Sequence, residues 1–207
     1  MEEKGNENEN KNNIKIILLG EQATGKTNLI NTFFGNKFDP VSPPSLSPNL
    51  TQRNLKINET NYKINIWDTM GQEKFRSMTK IFLKGANIVI LVYDITKKQS
   101  FYELKNFWVK LVENELGQEP IIGLCANKID LFENEEIDSN EGMEFAKILG
   151  AIFCETSAKE NPKSFIFFVE KLVKQYHRQK NGNDNYESSI SLKNKSKNKK
   201  KRIKKKC

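Results

Sequence analysis

Histidine occurs once in the 207 residues, at position 177, and cysteine three times, at positions 125, 154 and 207. None of these has metal-ligand spacing, and no set of cysteines could form a disulfide framework. His177 lies between Tyr176 and Arg178 with no catalytic partner near it in sequence, which reads as a surface residue. Cys125 and Cys154 sit in apolar, strand-like runs and read as small core residues. No apolar run is long enough to span a membrane and no secretory leader is recognisable, so a reduced, cytosolic compartment is expected. Internal repeats are absent. Acid is missing from residues 193–206, which hold ten Lys or Arg. Without those ten, 24 basic residues remain against 26 acidic ones, so the formal charge of +8 belongs to the tail and the body is near −2.

The remaining chain is long enough for one α/β domain with a substantial core. Residues 1–13, rich in Asn, Glu and Lys, are expected to be disordered. Residues 14–180 form the expected domain, and 181–207 a flexible tail that is polybasic from 193. Apolar strands are expected at 14–20, 88–94, 120–128 and 151–155, and two alternating strands at 50–57 and 62–68. Helices are expected at 25–34, 100–114, 139–149 and 162–178. Continuous apolar strands alternating with helices imply a parallel sheet covered on both faces. The two consecutive strands add one antiparallel edge. The predicted fold is thus a six-stranded, mostly parallel α/β domain whose ligand sits at the carboxyl ends of its strands. Trp108 and the phenylalanines within 165–168 fall at helical positions and are expected in the core; Glu133–Asp138 reads as an exposed acidic loop.

Residues 20–27, GEQATGKT, match the phosphate-loop pattern between a strand and a helix. Gly20 and Gly25 bracket Glu21, Gln22, Ala23 and Thr24, and backbone N–H groups there would approach phosphate oxygens closely. Lys26 would reach the β- and γ-phosphates, the Thr27 hydroxyl would ligate Mg²⁺, and Asn28 continues the contact region. Asp68 ends the strand INIWD, where its carboxylate would hold Mg²⁺; the Gly71 N–H would bond the γ-phosphate and Gln72 would orient a water. An ordinary strand-end turn is the plainer reading of Asp68-Thr69-Met70-Gly71, since Asp and Gly both suit turns. Asn127-Lys128-Ile129-Asp130 follows another strand. A carboxylate at Asp130 accepts two hydrogen bonds from guanine N1 and N2, which adenine does not supply. The Lys128 stem would lie over the base and Asn127 would tie loops together. Ser157-Ala158-Lys159 would offer the Ala158 N–H to guanine O6. An NKxD run arises easily by chance in a chain this rich in Asn and Lys; its place after a strand, between the other motifs, restores its weight.

With these motifs in order, the chain resembles the Ras-like small GTPases, and within them the Rab branch, over about residues 14–178. WDTMGQEKFRSMT (67–79), FLKGANIVILVYDIT (82–96), ANKIDL (126–131) and ETSAK (155–159) carry the likeness. The resemblance implies GTP and GDP binding with Mg²⁺, slow hydrolysis, and cycling between an endomembrane and the cytosol. It also implies effectors that read the switches, an exchange factor and a GTPase-activating protein, with a monomeric chain and no specific nucleic-acid partner. No arginine finger is assignable within this chain. By the same likeness the switch I hydroxyl is Ser45, also a Mg²⁺ ligand, and Phe38 would pack on the guanine ring. The effector triad would be Leu50, Trp67 and Phe82.

Three departures stand out. Ser45 replaces a threonine and lies among Pro43, Pro44 and Pro48, which fix φ and remove donors. Met70 replaces a small alanine beside the γ-phosphate and the attacking water. Leu50 replaces an aromatic. Ser45 and Met70 imply normal GDP binding with impaired hydrolysis or an altered GTP state; toleration of Met70 by a small loop shift is the bland alternative.

The run KNKSKNKKKRIKKK (193–206) precedes Cys207. A basic patch together with one lipid anchors stably to an anionic leaflet, and a prenylated Cys207 would supply the lipid, although this is not a C-a-a-X box. A nuclear import signal or nucleic-acid attraction are the other readings of such a tail. The sequence therefore points to a Rab-like GTPase switch in membrane trafficking. Its rivals are a nucleotide-locked scaffold, a nuclear small GTPase and, disfavoured by Asp130 and Ala158, an adenine-nucleotide enzyme.

Overall fold

The computed structural model describes residues 12–41, 49–57, 59–69, 76–116 and 120–180, with side chains of 76–78 excepted. Ser45 and its neighbouring prolines, Met70, Gly71, Gln72, Cys207, residues 1–11 and the tail from 181 lie outside the described residues.

Six strands form one sheet: β1 (Asn13–Leu19), β2 (Asn49–Ile57), β3 (Thr60–Asp68), β4 (Ile88–Asp94), β5 (Ile121–Asn127) and β6 (Ile152–Thr156). Their spatial order is β2-β3-β1-β4-β5-β6. Only the β2–β3 pairing is antiparallel; the other four neighbouring pairs are parallel. This is the six-stranded sheet expected from the alternating pattern, with its antiparallel edge at β2. β1 begins at Asn13, within the stretch expected to be disordered.

Helices follow the strands. α1 (Lys26–Phe33) follows β1, α2 (Arg76–Leu83) precedes β4, and α3 (Lys98–Glu103) leads through a π-helical turn (Leu104–Trp108) into α4 (Val109–Glu115). A 3₁₀ segment (Ile129–Asn134) and α5 (Ser139–Ile148) separate β5 from β6. Asp138 caps α5, its carboxylate accepting from the Glu141 N–H at 2.9 Å. Residues 162–173 are helical and end the first of two units, Met1–Val173; in the second, Lys174–Cys207, residues 174–180 are helical.

All seven residues of β4 are buried. Successive strand side chains point to opposite faces. One face presents Ile17, Leu19, Val89, Leu91 and Tyr93 to a core shared with Phe101, Leu104, Trp108 and Phe145. The opposite face presents Ile16, Leu18, Ile88, Ile90 and Val92, all buried. On the helices, Phe33 and Phe165 meet edge-on at 6.3 Å, and a Cβ on Gly123 of β5 would run into Phe168 and Leu172. Two expectations need correction. The helix α2 was not anticipated. Phe167 is 65% exposed rather than in the core, because buried Phe165, Phe168, Val169 and Leu172 define one helical face and residue 167 falls on the other.

Among the described residues, no helix is long and apolar enough to cross a membrane.

Candidate nucleotide site

Because β1, β3, β4, β5 and β6 all run parallel, Gly20, Asp68, Asp94, Asn127 and Thr156 reach the same edge of the sheet. That edge is where open parallel sheets bind ligands.

The loop from Gly20 to Lys26 turns tightly there. Gly20 has φ 148° and Gly25 φ 93°, in the left-handed region where a side chain is costly. A Cβ on Gly20 would strike the Val92 carbonyl oxygen, and one on Gly25 would strike the Asn127 amide nitrogen. Ala23 adopts φ 63° despite its methyl group, a conformation that costs about 1–2 kcal/mol. The glycines thus allow the loop to lie against β4 and β5, and the N-terminus of α1 adds positive potential.

Lys26 opens α1 and is almost fully buried, at 5% exposure. Its ammonium donates to the carbonyls of Gly20 and Glu21, each at 2.8 Å. Burial pulls its pKa down to about 8, against the opposing pull of Asp68 and Glu21. A buried cation turned into a glycine-rich loop calls for an anion. Beside it, Thr27 Oγ1 donates to Asp68 Oδ2 at 2.7 Å, bringing a hydroxyl and a carboxylate from 41 residues apart into contact. The Thr69 hydroxyl fixes the residue after Asp68 to the Leu18 carbonyl of β1. Two hard oxygens side by side next to a phosphate-sized loop suit Mg²⁺, so the donor set fits that ion.

Asn127 links three loops. Its Nδ2 donates to the Thr24 carbonyl at 2.8 Å, and its Oδ1 accepts from the Ala158 N–H at 3.4 Å. The Ala158 N–H, expected to face a base oxygen, is directed at Asn127 in this structure. Lys128 takes φ 69° and sends its ammonium to Asp94 Oδ2 at 2.6 Å. Asp94 is fully buried, and its other oxygen accepts from the Thr96 N–H at 3.0 Å and the Thr96 hydroxyl at 2.8 Å. Asp130 is half-buried in the 3₁₀ segment that follows. The buried Ser157 hydroxyl accepts from the N–H groups of Lys159 (3.2 Å) and Glu160 (2.9 Å), which folds that loop back on itself.

Gln22 and Ala23 are exposed at the loop tip, and Lys159 is exposed with Glu160 at 3.9 Å. Phe38 is half-buried in a segment pinned by Asn28, whose amide donates to the Asp39 carbonyl at 2.9 Å and accepts from the Asp39 N–H at 3.1 Å. One residue back from this edge, Leu50 is the cross-strand partner of Trp67, and the rings of Trp67 and Phe82 lie 5.5 Å apart. The Lys15 ammonium sits 5.4 Å over Trp67. Leu50, Trp67 and Phe82 therefore share one surface.

Two contributors escaped the sequence reading. Asp94 ends a strand at the ligand edge as Asp68 and Asn127 do, so position alone could have flagged it. Trp108 donates its indole N–H to Glu21 Oε1 at 3.0 Å across 87 residues, and no local pattern signals that. Cys125 and Cys154 are not reactive candidates. Burial pushes the Cys125 thiol well up, and burial with the nearby Glu155 charge pushes Cys154 up to about 12. Cys154 is half-buried rather than a full core residue.

A strand-edge site made of a glycine-rich loop, a buried lysine, a Thr–Asp pair and a loop-bridging asparagine is the arrangement of a P-loop nucleotide-binding domain. A family model described as Ras family matches residues 15–178. The chain is 35% identical over 161 residues to Ras-related protein RABC1 of Arabidopsis thaliana, covering 77% of this chain and 76% of the relative. It is 37% identical over 164 residues to Ras-related protein Rab-18-B of Danio rerio, covering 77% and 79%. The chain belongs to the Ras family of GTPases, on its Rab branch.

Proposed function

We propose that this chain binds GTP and GDP with Mg²⁺, hydrolyses GTP slowly, and works as a trafficking switch on the cytoplasmic face of an endomembrane. The observation that carries the reading is Asn127, whose one amide bridges Thr24 of the phosphate loop and Ala158 of the 157–159 loop. In this reading phosphate and base recognition share one edge of the sheet, joined through Asn127. Gly20, Glu21, Gln22, Ala23, Thr24, Gly25, Lys26, Thr27 and Asn28 surround the phosphates in this reading. Lys128, Asp130, Ser157, Ala158 and Lys159 surround the base, with the Asp130 carboxylate taking the two guanine donors and Phe38 against the ring.

In the chemical step, a water oriented by Gln72 attacks the γ-phosphorus, the bond to the β-phosphate oxygen breaks, and GDP and inorganic phosphate leave. Lys26 and the loop N–H groups, with the Gly71 N–H, bear the negative charge that develops. Thr27, Ser45 and Asp68 would hold Mg²⁺, which would supply further charge neutralisation at the phosphates. By the family likeness, Met70 would stand beside that water and slow the step. Effectors read Leu50, Trp67 and Phe82, an exchange factor and a GTPase-activating protein set the cycle, and the polybasic tail with prenylated Cys207 supplies the membrane anchor.

The test is fluorescent GDP binding in the presence of Mg²⁺, competed with GTP and with ATP. Displacement by GTP at stoichiometric levels, with ATP ineffective at a hundredfold excess or about that, is expected. Equal displacement by ATP would refute the assignment of Asp130 to a guanine edge.

A further inference from the structure

Trp108 is fully buried, and it closes the π-helical turn Leu104–Trp108 between α3 and α4. π turns within helices are uncommon and recur at functional sites, because the widened turn re-aims side chains. The indole N–H only donates, and when buried it requires an acceptor. Here the acceptor is the Glu21 carboxylate at 3.0 Å.

Glu21 occupies the first variable position of the phosphate loop. Its carbonyl accepts from the Lys26 ammonium at 2.8 Å and from the Thr24 hydroxyl at 3.0 Å, so its backbone is part of the cradle. Its carboxylate is a liability there. A carboxylate free to turn into the loop would repel phosphate oxygens and compete for the same buried ammonium, whose charge already feels it. An indole donor lodged in the packed core removes that freedom, since Trp108 is also wedged edge-on against Phe107 at 5.1 Å.

We propose that Trp108 is a positioning residue for the phosphate loop: its indole N–H anchors the Glu21 carboxylate so that Lys26 faces the nucleotide's phosphates rather than a carboxylate of its own loop. The inference rests on the guanine-nucleotide reading above.

The test uses the full chain with W108F, E21Q and the double variant. GDP dissociation is followed with a fluorescent analogue in Mg²⁺, and the indole N–H resonances are recorded by NMR, with W108F assigning Trp108. W108F keeps the ring and loses the donor. It is expected to speed GDP release about tenfold, the effect of losing one hydrogen bond to a charged group. In the E21Q background, where no charge needs restraint, W108F is expected to change release less than about twofold. E21Q alone is expected to move the Trp108 indole proton upfield, because a neutral amide oxygen is a weaker acceptor than a carboxylate. Equal acceleration by W108F in both backgrounds would reduce Trp108 to a packing residue and overturn the proposal, as would no acceleration at all. Should W108F fail to fold, an unmoved indole resonance in E21Q overturns it independently. Failure of the unsubstituted chain to bind GDP would instead strike the guanine reading itself and take this inference with it.

Discussion

In the nucleotide-free chain, Lys26→Met should erase a stability increment that grows with pH. The Lys26 pKa falls from its ordinary 10.5 to about 8, chiefly through burial. One pKa unit corresponds to about 1.4 kcal/mol, so keeping the charged ammonium in place at neutral pH costs on the order of 3 kcal/mol. The residue is nearly inaccessible, so solvent screening takes little from that figure. Between about pH 8 and 10.5 the unfolded chain holds a proton that the folded chain has released. Stability therefore rises with pH across that window, the full cost applies below it, and none remains above it. Cys154 and Tyr93 act oppositely, since burial raises both pKa values and the folded state then keeps protons that the unfolded state loses. Their contribution is common to both proteins and cancels in the difference. The assay is denaturant unfolding of the unsubstituted chain and the Met variant, with nucleotide and Mg²⁺ removed, at about pH 7.5, 9 and 10.5. The unsubstituted chain should gain on the order of 3 kcal/mol over the variant from the lowest to the highest pH. Parallel curves would show that the ammonium is solvated in the folded state and would refute the buried-cation account. Bound GDP should abolish most of the pH dependence, because its phosphates favour the charged form.

Other expectations follow from single contacts. Asn127→Ala removes the bond to the Thr24 carbonyl and leaves that carbonyl buried, which should lower stability by about 1–3 kcal/mol and weaken GDP binding at least about tenfold, as seen by thermal melting and fluorescence titration. Asp138→Ala removes the cap of α5 and should cost about 1 kcal/mol while leaving GDP affinity unchanged, so the two effects separate in one pair of assays. Met70→Ala should raise the single-turnover rate of GTP hydrolysis with little change in GDP affinity; an unchanged rate would mean that the thioether is accommodated without consequence.

The sheet was legible because its inner strands carry continuous apolar runs, such as IVILVYD, that only burial on both faces explains. Gly20, Asp68 and Asn127 are legible as strand-end residues, since each closes such a run. Helix α2 was not legible. Met78, Ile81 and Phe82 do recur at spacings of three and four, but eight residues make only two turns, too short a stretch to stand out beside the longer helices. The phenylalanine run near 165 misled, because composition without phase puts Phe167 inside. Contacts such as Lys128 with Asp94, or Trp108 with Glu21, span 34 and 87 residues and are set by strand order and helix geometry. Chain pattern carries no trace of either. Switch residues Ser45, Met70, Gly71 and Gln72 fall outside the described structure, so their roles rest on the family likeness.

The central claim is that this edge holds a guanine nucleotide, and the most direct measurement is the identity of the nucleotide released when the purified chain is denatured. Stoichiometric GDP or GTP, identified by mass and chromatography, is the expected result. Stoichiometric ADP or ATP would contradict the account, as would a correctly folded chain that carries no nucleotide and takes up none from a guanine mixture with Mg²⁺.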